Sequence, residues 1–183
     1  MEETVKEETI EKKEKPENKK ISTKRIALNL FIKIGVIAIA LWGAFSFVIG
    51  ISLHYGNNMY PAVKDGDLVV SLKLQRPYLN AAVIYRQNGK RQIGRVVGLP
   101  GNEIDITDKG QLLVNGTIPA EEVFYPTFKA ENSEIEFPLT VEEGKMFILN
   151  DFREDTNDSR TFGTVDMDDL EGPLIFSMRR RGF

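Results

Sequence analysis

Between Lys33 and His54 the chain runs 20 residues without a charge, IGVIAIALWGAFSFVIGISL. No other feature narrows the fold as sharply, because such a run must be buried in protein or in lipid. As a helix rising ~1.5 Å per residue it would cover about 30 Å, the thickness of a bilayer core. Lys19, Lys20, Lys24, Arg25 and Lys33 gather on its N-terminal side, whereas the far side begins His54-Tyr55-Gly56-Asn57-Asn58. That asymmetry of basic residues puts the N-terminus in the cytoplasm. We therefore expect residues 26–53 to form one uncleaved membrane anchor, with residues 55–183 outside the cytoplasm. A cleavable leader has a shorter apolar region and a small-x-small site after it, and none follows at 51–57.

Residues 1–25 interleave Glu with Lys and hold almost no apolar side chain, so a disordered cytoplasmic tail is expected there. The net charge of −3 gives no reason to expect nucleic acid as a partner. The chain has no cysteine, which excludes disulfides and thiolate-bound metal. Its single histidine, His54, gives no basis for a histidine-rich metal site or a histidine-based triad. No metal or cofactor is expected. Any catalysis would need a different base.

The remaining 130 or so residues read as β structure. Short apolar or alternating runs lie at 67–73, 81–86, 92–97, 103–107, 111–114, 146–149 and 174–178. Turn signals separate them: Asp65-Gly66, Asn88-Gly89, Pro100-Gly101, Lys109-Gly110 and Asn115-Gly116. Asn88-Gly89 and Asn115-Gly116 suit tight hairpins, since both residues tolerate positive φ. The expected fold is mainly β, an antiparallel domain of folded, barrel-like sheets, with a small cap at about 102–142.

Three ordered blocks carry a resemblance. The first is Gly56-Asn57-Asn58-Met59-Tyr60-Pro61 with Gly66-Asp67-Leu68-Val69-Val70 after it. The second is Gly94-Arg95-Val96-Val97-Gly98-Leu99-Pro100-Gly101-Asn102, and the third runs from Asn150-Asp151 through Asp158-Ser159-Arg160 to Gly163. Together with the anchor ahead of them they resemble type I signal peptidases, membrane-anchored serine peptidases that trim secretory signal sequences. The family's chemistry uses a Ser–Lys dyad, in which a neutral lysine takes the proton of the attacking hydroxyl. A lysine with a free pKa near ~10.4 must be desolvated to do this.

In this sequence Asn58 stands at the serine's position and Gly94 at the lysine's. An amide is not a nucleophile at neutral pH, and glycine has no side chain. Lys90, four residues before Gly94, would sit ~13 Å along a strand, beyond hydrogen-bond reach. Lys64, Lys73, Ser71 and Ser159 occupy neither position. The resemblance further implies that Met59, Tyr60 and Pro61 line the peptide groove and seat the domain edge on lipid. It makes Thr156 the match for a hydroxyl that orients the lysine, and Arg95, Asp158 and Arg160 a supporting charge network. The backbone N–H of Asn58 would still serve as an oxyanion-hole donor.

Double loss of the dyad, the short cap and the single anchor resemble the signal-peptidase-like members of Gram-positive pilus gene clusters. The implied role is non-proteolytic and chaperone-like, with pilin subunits or a pilin-polymerising sortase as partners beside the bilayer. The alternative is an active signal peptidase I with a relocated nucleophile and base.

Overall fold

The computed structural model describes residues 23–179 apart from 122 and 132, so the expected tail at 1–25 lies almost wholly outside the described residues. The chain divides into two compact units between Leu41 and Trp42. Helix α1 (Thr23–Val48) begins in the first and ends in the second. Its large apolar side chains are exposed all round, Phe31, Trp42 and Phe47 among them at more than 70%. An all-round apolar helix wants a non-aqueous medium. Its stretch Lys24–Val48 is long and apolar enough to cross a membrane, and fits a membrane anchor or a signal sequence near the N-terminus.

The helix stops five residues before the uncharged run does. Ile49–Leu53 form strand β1 instead of completing the expected helix to 53. Strand β2 (Leu68–Leu72) explains the stop, because β1 pairs with it from Ile49↔Leu72 to Leu53↔Leu68. Just beyond it, the Lys73 amide donates to Val48 O at 2.9 Å and Lys73 Nζ to Ser46 O at 2.8 Å. Two carbonyls that a helix end leaves without partners are thereby satisfied, one of them by a cation at the negative end of the dipole. Gly50 is needed at this point, since a Cβ there would fall 2.5 Å from Ser71 Oγ.

The other strands are β3 (Ala82–Gln87), β4 (Lys90–Gly98), β5 (Glu103–Ile106), β6 (Leu112–Val114), β7 (Leu139–Thr140), β8 (Lys145–Leu149), β9 (Val165–Asp166) and β10 (Leu170–Met178). Seven of them make an antiparallel sheet in the order β1-β2-β10-β3-β4-β8-β9, and β6-β5-β7 make a second. The fold is thus mainly antiparallel β, as expected. Strand β10 bends the large sheet: its first half pairs with β3 and its second half with β2, with a register shift in each ladder. Gly172 permits the bend, for a Cβ on it would lie 2.2 Å from Leu72 O.

Alternation decides what is buried. Tyr85, Val96, Met146 and Ile148 meet on one face, and Val97, Ile104, Phe147 and Leu149 on the other, so β4 and β8 are covered on both sides. A third cluster gathers Met59, Val63, Val69, Ile84 and Ile93. Asn88 and Gly89 take φ of 51° and 73° in the two-residue turn that joins β3 to β4. Asn115 and Gly116 take 52° and 73°, and close the single bridge Val114↔Thr117 without a strand beyond it.

Candidate functional site

A cleft of about 510 Å³ opens in the β domain. Ser52 and Leu53 at the end of β1, residues 54–58 after it, residues 90–93 of β4, and Asn150, Asp155 and Asn157 line it. The loop of the first sequence block and the loop after β8 are therefore brought together, with β4 between them. Asn58 carries the contact. Its Nδ2 donates to Ile93 O at 2.8 Å and to Asn150 Oδ1 at 3.0 Å, and its carbonyl accepts from Phe152 N at 2.9 Å. Both amide hydrogens are thus committed to the protein.

Asn150, only 1% exposed, is the residue that sequence reasoning missed here. Its amide N donates to Asp158 Oδ2 at 2.9 Å and its Nδ2 to Asp155 O at 3.1 Å. Asp158 in turn caps the one-turn helix α2 (Ser159–Phe162), accepting from Arg160 N at 3.0 Å. Arg160 pairs with Asp158 at 2.7 Å, both side chains fully buried. It also donates to the carbonyls of Arg153, Asp155 and Phe128. Every charge in this knot meets a partner, as burial demands.

Arg95 pairs with another carboxylate. It clasps Asp151 instead, Nε to Oδ1 at 2.6 Å and Nη2 to Oδ2 at 2.5 Å, and donates to Asn80 O. Arg95 and Arg160 are thus paired with different carboxylates, Asp151 and Asp158. Thr156 contributes its carbonyl, which accepts from Thr161 Oγ1 and Asp158 N. Ser159 Oγ accepts from Ile148 N, and Ser71 is buried in β2.

Met59 corrects the expectation for the groove. It is fully buried in the cluster with Val69, Ile84 and Ile93, and does not line the cleft, because the loop turns its thioether inward under β2. Tyr60 and Pro61 are exposed but outside the cleft lining, joined by a cis peptide, with Lys64 Nζ 4.8 Å from the Tyr60 ring centroid.

At Gly94 the interior is closed. A Cβ there would fall 2.4 Å from Ile148 Cγ2 and 3.3 Å from both Tyr85 Cε1 and Leu149 O. Tyr85 is fully buried, with its hydroxyl on Gln92 Oε1 at 3.1 Å. Burial, then the charges of Asp158 and Asp155, push its phenol far above the ordinary range, so it stays a neutral donor. Lys90 lies on the cleft rim, exposed, and Arg91 beside it pairs with Glu171 at 2.8 Å. The arrangement offers hydrogen bonds, shape and a basic rim. Position 58 offers no hydroxyl and position 94 no amine.

An apolar N-terminal helix before antiparallel sheets, with a cleft between the 54–58 loop and the loop after β8, defines a signal-peptidase-like protein. The family model for signal peptidase, peptidase S26, matches residues 27–178. The chain belongs to this family. Signal peptidase IB of Staphylococcus aureus (strain COL) is 27% identical over 174 residues, spanning 84% of this chain and 90% of that one. The probable thylakoidal processing peptidase 2 of Arabidopsis thaliana is 29% identical over 133 residues, 65% of this chain and 35% of its own length. The crystal structure of a signal peptidase I from Enterococcus faecalis V583 aligns with a TM-score of 0.47 and 30% identity, covering 55% of this chain and 97% of that one.

Proposed function

We propose that this chain is a signal peptidase I-like protein that binds peptide without cutting it. In this reading it sits in the cell membrane on a single span, N-terminus in the cytoplasm, and serves pilus assembly by holding a pilin subunit or the sortase that polymerises it. One observation carries the non-proteolytic part. A side chain acting as general base from Gly94 would have to displace Ile148, whose methyl lies 2.4 Å from where its Cβ would be, with Tyr85 at 3.3 Å. The clamp on Asn58 points the same way. Its amide is fixed by β4 and Asn150 and leaves the backbone donor of the loop in place.

One observation favours the competing reading of a relocated dyad: Ser52 and Lys90 both line the cleft. A single set of strains separates the two. Cells lacking residues 55–183 are expected to lose high-molecular-weight pilin ladders from the wall, and the full chain carrying Ser52→Ala is expected to restore them. The purified full chain in detergent is expected to leave a signal-peptide substrate intact. Turnover that Ser52→Ala or Lys90→Met abolishes would establish the active reading instead, and unchanged ladders in the deletion strain would end the pilus role.

A further inference from the structure

His54 lines the cleft, yet neither the clamp on Asn58 nor the packing at Gly94 uses it. Its backbone is pinned in both directions: its N donates to Asp67 O and its O accepts from Gly66 N, each at 2.9 Å. The residue is only 5% exposed, and Nε2 is buried with no hydrogen-bond partner. A buried polar atom without a partner is rare and costs stability, so it asks for an explanation. A neutral imidazole has one N–H and one lone pair. Burial lowers the imidazole pKa below its ordinary 6.5, against the pull of Asp65, Asp67 and the backbone at Gly56, and so favours the neutral ring. In the neutral ring the nitrogen without an N–H keeps a lone pair that can accept.

A second acceptor stands four residues on. With both Nδ2 hydrogens of Asn58 given to Ile93 O and Asn150 Oδ1, its Oδ1 reaches no donor among the described residues. Two acceptors without partners, four residues apart on one cleft-lining loop, suit a ligand that carries several N–H groups. An extended peptide presents them on one side every second residue, roughly 7 Å apart. We propose that His54 Nε2 is a binding group of this cleft, accepting a backbone N–H of an extended client peptide whose neighbouring N–H meets Asn58 Oδ1. This rests on the peptide-binding reading above and names the residue that recognises the backbone.

The proposal makes binding pH-dependent. Protonation would turn Nε2 into a donor facing a donor. The charges around it are Asp65 and Asp67 on its own loop, Lys90 and Arg91 at the start of β4, with Arg91 held by Glu171, and Asp155 across the cleft.

Because His54 is the chain's only histidine, nitrogen-15 histidine labelling of the full chain in micelles yields one imidazole to follow. The probe is a fluorescent ten-residue peptide from the signal region of a secreted protein, with a set of analogues N-methylated at one amide each. Peptide addition is expected to shift the Nε2 resonance and lower the imidazole pKa. Affinity should fall tenfold per pH unit below that transition, and one N-methyl analogue should bind at least tenfold more weakly and lose the pH dependence. Binding that leaves Nε2 and the pH profile unmoved would overturn the role of His54 while sparing the peptide groove. No binding by any analogue at any pH would overturn the groove and this proposal together. His54→Gln, which keeps an acceptor that cannot titrate, should bind with a flat pH profile.

Discussion

An ideal Cβ placed on Gly94 would fall 2.4 Å from a branched methyl of Ile148, which is itself fully buried on β8. There is no flexible end to swing away, so even Gly94→Ala should lower stability, by about 1–3 kcal/mol as overpacking does. Denaturant unfolding of the full chain would measure it. Adding Ile148→Ala should cost less than the sum of the two single changes, because each relieves the other. For the same reason, Asn58→Ser with Gly94→Lys should restore no peptidase activity, the lysine finding no place in the interior. Asp158 offers the contrasting case. Asp158→Ala would strand the fully buried Arg160 and cost about 3–5 kcal/mol. Glu171→Ala, whose partners Arg86 and Arg91 are about half exposed, should cost less than about 1 kcal/mol. Asn58 and Gly94 stood out in the sequence because the blocks around them fix their positions. Ile148, Tyr85 and Asn150 did not, since their places depend on the register in which β8 meets β4, Val96↔Ile148 and Arg95↔Leu149, and no local pattern encodes it.

The hairpin of β3 and β4 shows what an element owes to its turn. Gly89 sits at φ 73°, so Gly89→Ala should cost about 1–2 kcal/mol and, by loosening the turn, disturb the Lys90 and Arg91 rim of the cleft. Thermal unfolding beside the peptide-binding constant would report both effects. Elements with their own turn chemistry were legible from the residues: seven expected runs correspond to β2, β3, β4, β5, β6, β8 and β10. The three others escaped for distinct reasons. Strands β7 and β9 have two residues each, too few for a period. Strand β1 lies inside an uncharged run, where Ile-Gly-Ile-Ser-Leu is as acceptable to a bilayer helix as to a strand. Only pairing with β2 decides it. The consequence is that α1 carries Lys33 within its apolar length, on a long stem that can lead the charge away from apolar surroundings.

Over the molecule as a whole, acid should act in two separate windows. Burial holds His54 below 6.5, against Asp65, Asp67 and the Gly56 backbone bond. The unfolded chain therefore takes up a proton that the folded chain refuses, and stability falls as pH drops from 6.5 through the depressed folded value. Glu171 follows at lower pH. Burial would raise it, but hydrogen bonds from Arg91 and Arg86, with their charges, hold it below 4.5. Its contribution is present above 4.5 and is lost as pH falls through its folded pKa. Melting temperatures of the full chain measured from pH 8 to pH 4 should begin to decline near pH 6.5, ahead of the carboxylates. His54→Gln, whatever its absolute stability, should show no slope until carboxylates titrate. A saturating peptide that bonds Nε2 favours the neutral ring further, so it should widen the first window and steepen the decline below pH 6. A decline identical in wild type and His54→Gln would assign the acid sensitivity to the carboxylates alone, and would leave the buried imidazole no part in the stability of the cleft.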